Sequence, residues 1–314
     1  MKKLEQITTI LLILAFMVRI TIKDYFFVTS LIFYAFPWIV LCFGSILLFI
    51  INYKKRKKRI LWLISTFILC FFWIGNSYVK NKSSLNHNHK SEDHEHEHEG
   101  HHHDHILEDY EVVFWNAFRK NNVEDAIQEI GNIPDLLVLL EYDENNKKPF
   151  SALKKQYPNH HLHLIKERFA VLSKHSIKNI KFHELVDEAV LLEFQTLIQG
   201  SYFQVYVTDV SSSVTKFRKP SIEAVFNRIK KEGKTILMGD FNTPYESVHF
   251  DAYKEQFEHT FSAKGNGFRE TWIWNFPLLS LDHIWTSKDI ELESVEKINT
   301  WKSDHNFIKF YIHK

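Results

Sequence analysis

The stretch ILMGDFNTP, Ile236 to Pro244, decides the fold. It rises through an apolar run and then sets Gly239, Asp240, Phe241 and Asn242 in consecutive places. A buried strand usually closes with turn-forming residues. This one does so with a carboxylate and a carboxamide two residues apart. Outward from it the pattern recurs: Asn116 closes YEVVFWNA (Tyr110–Ala117), Glu141 closes DLLVLLEY (Asp135–Tyr142), Asp282 and His283 lie in SLDHIWTS, and Asp304 and His305 lie in WKSDH. Taken singly, each is explained as a cap or a turn residue. Together they place acids, amides and imidazoles at one strand end after another.

The remaining apolar runs, RFAVLSK, AVLLEFQT, YFQVYVTDV and NFIKFYI, also read as strands. VEDAIQEI (Val123–Ile130) and KPSIEAVFNRIKKEG (Lys219–Gly233) read as helices, the second stopped by its glycine. Strands apolar on both faces predict sheets packed face to face and covered by helices.

The ordered series WN, strand-end Glu, GDFN, LDHI and SDH resembles the endonuclease/exonuclease/phosphatase superfamily, over about Tyr110 to Tyr311. RETW (Arg269–Trp272), together with the apolar segments near the N-terminus, resembles the membrane-anchored bacterial branch of that group. The resemblance implies an α/β fold, a four-layered sandwich of two packed mixed sheets with outer helices, preceded by transmembrane helices. It also implies an active site where the strand-end loops meet, with Gly239 allowing a close turn that aims Asp240 and Asn242 into a phosphate cleft.

A phosphoester is an anion whose hydrolysis builds charge on oxygen, so its site needs a cation, a base and directed donors. By resemblance, Glu141 is the first metal ligand, with Asn116 and Asp304 beside it, and hard oxygen ligands suit Mg²⁺ or Mn²⁺. His305, oriented by Asp282, is a general base or a phosphate-contacting imidazole. Asp240 positions or deprotonates the attacking water, or protonates the leaving oxygen, and Asn242 donates its amide protons to the phosphoryl group. His283 is expected behind the site as a hydrogen-bonded structural imidazole. Arg168 and Lys174, flanking FAVLS, are expected to be solvated, and Trp272 and Trp274 to stack on substrate or pack in the core.

One position departs from the family pattern. Where many relatives have a phosphate-contacting His after the strand YFQVYV, this chain has Asp209. A carboxylate there recruits a second cation, points elsewhere or lowers activity.

Ahead of this domain (106–314) the sequence changes character. Three apolar stretches, about Gln6–Ile22, Phe26–Tyr53 and Ile60–Val79, predict a membrane anchor (1–80) of about three helices, with Pro37 as a tolerated kink in the second. MKK followed by an apolar run also fits a signal peptide, but no small-x-small cleavage site follows, and anchoring results either way. KKRKKR (Lys54–Arg59) marks the cytoplasmic side, which puts the domain after the third span outside the cytoplasm.

HNHKSEDHEHEHEGHHHDH (His87–His105) holds nine of the chain's 19 histidines and no apolar residue. It reads as a disordered linker (81–105) able to bind Zn²⁺, Ni²⁺ or Cu²⁺ loosely, or as a polar spacer.

Residues 106–314 carry 26 Lys and Arg against 30 Asp and Glu, a formal charge of −4. That disfavours a high-affinity duplex nuclease. Cys42 and Cys70 both lie in the apolar segments, so the domain has neither a disulfide nor thiolate chemistry. The sequence thus predicts a membrane-anchored, metal-dependent phosphoesterase outside the cytoplasm, acting on nucleic acid, a phospholipid headgroup or a small phosphodiester. The alternative is a non-catalytic binding module on the same fold, tied to metal handling through the histidine run.

Overall fold

The computed structural model describes residues 2–81, 109–143, 150–198 and 200–313. The histidine run, His87–His105, lies outside the described residues, and with it the metal binding expected there.

Four helices come first: α1 (Lys2–Ile20), α2 (Phe27–Ala35), α3 (Trp38–Ile51) and α4 (Arg56–Ser77). A two-residue strand, β1 (Tyr78–Val79), follows. The body then runs β2 (Tyr110–Asn116), α5 (Val123–Ile130), β3 (Leu136–Leu140), α6 (Phe150–Gln156), β4 (His161–Ile165), β5 (Phe169–Ser173), β6 (Lys178–Glu184), β7 (Val190–Ile198) and β8 (Ser201–Asp209). It continues with α7 (Arg218–Arg228), β9 (Thr235–Asp240), α8 (Asp251–Gln256), β10 (Phe257–His259), α9 (Thr260–Lys264) and β11 (Gly267–Phe268). The last strands are β12 (Asp282–Ser287), β13 (Leu292–Ile298) and β14 (Phe307–Ile312).

Two six-stranded sheets, ordered β13-β14-β2-β3-β5-β4 and β10-β12-β9-β8-β7-β6, form the sandwich. Each is mixed and has a single parallel pair at its centre, β2 with β3 and β8 with β9. Period-2 alternation explains why the strand runs are apolar throughout. Val112, Phe114, Val138, Ile236 and Met238 face the space between the sheets. Val113, Trp115, Leu137 and Leu139 face outward under α5, and Leu237 with Tyr206 packs under α7 and α8. Four layers result, as the sequence predicts.

Gly239 lies within β9, opposite His283 on β12 and Thr208 on β8, rather than in a turn. It permits a close approach: a Cβ there would stand 2.1 Å from the Thr208 carbonyl oxygen.

The N-terminal region differs from the expected three spans. By length and composition, α4 is the one described helix able to cross a membrane, and α2 with α3 adds a second only if the pair, bent by 64°, is a single span. Pro37 is not a kink inside a helix. It is the cap that starts α3 (φ −60, ψ 162), so the chain breaks there instead of continuing α2.

This region is docked on the body. β1 pairs antiparallel with β11, Trp73 stacks on Phe268 at 5.0 Å, and Arg269 N donates to Ser77 O at 3.0 Å. Asp24, fully buried, accepts hydrogen bonds from Ser247 Oγ, from Val248 N at 3.1 Å and from Tyr34 Oη at 3.0 Å.

Candidate active site

Topology gathers the strand-end residues. The parallel pairs put the C-terminal ends of β2, β3, β8 and β9 on one side, which carries Asn116, Glu141, Asp209 and Asp240. The antiparallel neighbours begin on that same side: Asp282, first in β12, pairs with Asp240, and His305 lies just ahead of β14 beside the end of β2. A cleft of about 500 Å³ opens there, with Asn116, Glu141, Asp240, Asn242, Asp304 and His305 in its wall. Asp282 stands behind His305 rather than in the wall.

The centre of the site is a buried chain of polar contacts. His305 Nδ1 lies 2.7 Å from Asp282 Oδ2, which also accepts from Thr271 Oγ1 at 2.6 Å. The ring is thereby turned so that Nε2 faces Asp240 Oδ2, 3.8 Å away. Asp240 accepts from Asn242 N at 2.8 Å and from Asn116 Nδ2 at 3.1 Å. Burial opposes charging His305, but the carboxylates of Asp282 and Asp240 outweigh it and raise the imidazole to about 10. Burial, with Asp282 nearby, raises Asp240 well above the carboxylate range. Both Asp240 oxygens accept hydrogen bonds, which favours the carboxylate form opposite a charged imidazole.

Glu141 and Asn242 adopt left-handed backbone conformations, φ 50 and φ 48. Such non-glycine positions cost on the order of 1–3 kcal/mol and persist where surrounding contacts over-determine them. Glu141 N donates to Arg168 O at 2.8 Å, and Asn242 Nδ2 donates to Val210 O at 2.7 Å. Asn242 therefore has one amide hydrogen, not two, to offer a ligand.

The expected metal ligands share the cleft but not the tightest cluster. Among the described residues, the trio of titratable side chains close enough to hold an ion together is Asp240, Asp282 and His305. The Asp282–His305 hydrogen bond already occupies two of its atoms. Elsewhere, Asp304 Oδ2 accepts from Trp272 Nε1 at 3.0 Å, whereas its Oδ1 is buried without a partner. Asn116 Oδ1 accepts from Phe118 N, and Glu141 Oε2 from Arg119 Nε at 3.1 Å, which leaves Glu141 Oε1 available. An orphaned carboxylate oxygen in a cleft wall that also holds Glu141 and Asn116 is the hard-oxygen chemistry that suits a divalent cation such as Mg²⁺ or Mn²⁺.

Asp209 is not in the cleft wall. Its carboxylate pairs with Arg168 Nε at 2.9 Å, and burial raises it to about 7 against the pull of that guanidinium. Of the alternatives open for this position, the side chain points elsewhere. Arg168 is thereby an ion-pair partner rather than a solvated cation. Lys174 pairs with Asp135 at 2.9 Å, half-exposed.

His283 sits behind the site, fully buried, with Nε2 2.8 Å from the Thr243 carbonyl and Nδ1 3.2 Å from His259 Nε2. A carbonyl only accepts, so His283 carries its hydrogen on Nε2 and receives one from His259, whose Nδ1 accepts from Ser262 N. That chain requires both rings neutral. Burial accordingly lowers His283 to about 4 and His259 well below its usual value. In the unfolded chain both protonate near pH 6.5. The pair's contribution to stability is full above that pH and falls as pH drops toward 4, with a slope of up to about 1.4 kcal/mol per pH unit for each ring, whereas Asp209, raised to about 7, adds stability over the same window. Thermal denaturation at pH 7 and pH 5 should show this loss, and His283→Gln should reduce it. An equal loss in the variant would exclude the pair as the cause.

Three contributors are absent from the strand-end pattern. Arg218, at the start of α7, is buried in the cleft wall and donates from Nε to Asn242 O at 3.3 Å. Thr271, within RETW, ties Asp282 in place. Trp272 is committed to Asp304 as well as facing the cleft. The sequence predicts Trp272 near the substrate or in the core, and RETW is the signal that could also have found Thr271. For Arg218 no local signal exists.

The sequence matches the Endonuclease/Exonuclease/phosphatase family over residues 113–305. The chain belongs to this family. Solved structures of similar fold include an endonuclease/exonuclease/phosphatase family protein from Leptotrichia buccalis, 15% identical with TM-score 0.50, over 65% of this chain and 100% of that one. The human Nocturnin catalytic domain with bound sulfate is 15% identical with TM-score 0.51, over 65% and 94%. Truncated Caenorhabditis elegans TDP2 is 15% identical with TM-score 0.50, over 66% and 98%. At such identity these likenesses carry the fold of this endonuclease/exonuclease/phosphatase protein and no substrate. No curated protein matches the sequence.

Proposed function

We propose that this protein is a metal-dependent phosphoesterase anchored in a membrane. The observation that carries the proposal is the His305–Asp282 pair at 2.7 Å, facing Asp240 and Asn242 across a cleft that also holds Glu141, Asn116 and Asp304. Water attacks phosphorus, a new P–O bond forms, and the bond to the leaving alcohol oxygen breaks. Asp240, its proton affinity raised by burial, orients the water and takes its proton, and the leaving oxygen is protonated from solvent. His305, charged, donates through Nε2 to a phosphoryl oxygen, and the free amide hydrogen of Asn242 donates to another. Glu141, Asn116 and Asp304 would hold a divalent cation, whose charge offsets the negative charge developing on the phosphate.

Anchoring is supported by α4, by the apolar α2–α3 pair and by the exposure of Ile7, Ile10, Ile13 and Leu14 along α1. Lys54–Arg59 between α3 and α4 supports a body outside the cytoplasm. The histidine run is retained in the proposal as a loose site for Zn²⁺, Ni²⁺ or Cu²⁺. The non-catalytic alternative drew on Asp209, and that charge has its own partner in Arg168.

The test is hydrolysis of bis(p-nitrophenyl) phosphate by the full chain in detergent, with Mg²⁺ or Mn²⁺ and then with EDTA. Turnover is expected with either metal and should fall to background on chelation. Turnover unchanged by EDTA would remove the metal from the mechanism, and none under any metal would count against the phosphoesterase.

A further inference from the structure

We infer that the substrate is an amphiphile: a phosphate ester bearing a long hydrocarbon chain, with its phosphate at His305 and Asn242 and its chain along α2. This deepens the phosphoesterase proposal and depends on it.

The cleft has two unlike walls. One is the polar set at the strand ends. The other is made by Leu31 and Ala35 of α2, joined by Val214, Leu279 and Leu281. α2 lies outside residues 113–305, the part the family accounts for. The N-terminal region therefore supplies an apolar side to the catalytic cleft.

That wall is fixed to the catalytic residues by a built joint. Buried Asp24 receives Ser247, Val248 and, from α2 itself, Tyr34, while Lys23 Nζ donates to Glu246 O at 3.0 Å. The Glu246–Val248 segment follows Asn242 by only a few residues, so the position of α2 is set against the reacting groups.

Charge and exposure select the ligand. α2 reads FVTSLIFYA and carries no cation, and the body has a net charge of −4. A polynucleotide needs basic side chains along its backbone and flat platforms for its bases. The cleft also holds the rings of Tyr34, Phe118 and Trp272 and the cation Arg218, but Tyr34 is tied to Asp24, Trp272 to Asp304 and Arg218 to backbone carbonyls, so the aliphatic wall beside the phosphate site suits a chain of methylenes better than a run of nucleotides. The apolar wall is also open: Leu31 is 38% exposed and Val214 70%, and Val28, one turn before Leu31 on α2, is 66% exposed. Exposed apolar area around a cleft marks a surface that apolar matter covers. α2 bends 64° from α3, so that wall belongs to the same apolar assembly as the helices proposed to enter the bilayer. A ligand residing in that bilayer reaches the cleft without crossing water.

The experiment uses the full chain in nanodiscs with p-nitrophenyl alkyl phosphodiesters that share one leaving group and carry methyl, butyl or dodecyl tails. Burying methylenes favours binding roughly fourfold each, so kcat/KM should rise at least 100-fold from methyl to dodecyl. Ala35→Trp and Leu31→Glu, both at exposed positions, should collapse that ratio. Equal kcat/KM across the series, with turnover lost in His305→Ala, would overturn the amphiphile and leave the phosphoesterase standing. A tail preference retained in both α2 variants would assign it to partitioning into the nanodisc and would also overturn the inference. Hydrolysis of no member would remove the phosphoesterase proposal, and this one with it.

Discussion

His305→Ala is expected to lower kcat/KM for phosphodiester hydrolysis by about 10²–10³-fold, the range for loss of one positioned donor to the charge developing in the transition state. The ring is buried and held by Asp282, so no neighbouring side chain can swing in to replace it. Its removal also takes away the cation between Asp240 and Asp282, which leaves two buried carboxylates facing each other. Some loss of stability should therefore accompany the loss of rate, and Tm must be measured beside kcat/KM. His305→Gln separates the two effects, because a neutral donor keeps a hydrogen bond to Asp282 without supplying the positive charge. Activity within tenfold of wild type in a folded His305→Ala protein would remove this residue from the mechanism.

Gly239→Ala is expected to cost about 3 kcal/mol or more, at or above the upper end for overpacking a well-filled core. The added methyl would stand 2.1 Å from the Thr208 carbonyl and 2.7 Å from its Cγ2. Backbone cannot rotate away as a side chain can, so β8 and β9 must separate at their parallel pairing. For a domain of this size the shift in Tm is on the order of 10 °C. Asp240 is the next residue, so catalysis should fall with stability. Gly131→Ala makes the control: its φ is also positive, at 84, but nothing lies within 4 Å of the added carbon. That substitution should cost about 1–2 kcal/mol, the penalty of the left-handed backbone alone. Similar Tm values for the two variants would sink the steric account.

The strand-end series was legible because the chemistry it serves is tied to where strands stop. All eight strand runs read from sequence are strands in the structure, and VEDAIQEI forms a helix with the expected bounds. The strands that escaped notice are edge or near-edge elements. β4 reads HLHLI, β6 KNIKFHE and β13 LESVEKI, and their polar positions face water, as strands guarding an open edge do. They lack an apolar run, and the one clear alternation, HLHLI, is only five residues long.

The rest of the site depends on distance along the chain. Asp24 is the lone acid between Ile10 and Trp73, and two of its partners, Ser247 and Val248, lie more than 220 residues away. Arg218 reaches Asn242 across 24 residues. Neither sits in a periodic pattern, because what fixes them is tertiary packing. Pro37, expected as a kink within one span, instead ends α2 and starts α3: proline interrupts a helix in either way, and local sequence does not decide which.

The pairing of β1 with β11 changes what the histidine segment is to the molecule. Tyr78 and Val79 are stitched to Phe268 and Gly267, and β2 begins in the middle of a sheet, so the chain on both sides of residues 82–108 is already fastened to the same body. A stretch fastened at both ends is a handle and not a leash. Its length sets neither the distance of the catalytic body from the apolar helices nor its orientation, because the strand pair and the Asp24 joint fix both. Doubling the length of a loop costs only about 0.6 kcal/mol in closure entropy. Histidines can therefore be gained or lost there with little consequence for the cleft, and whatever selects their number acts on the segment itself.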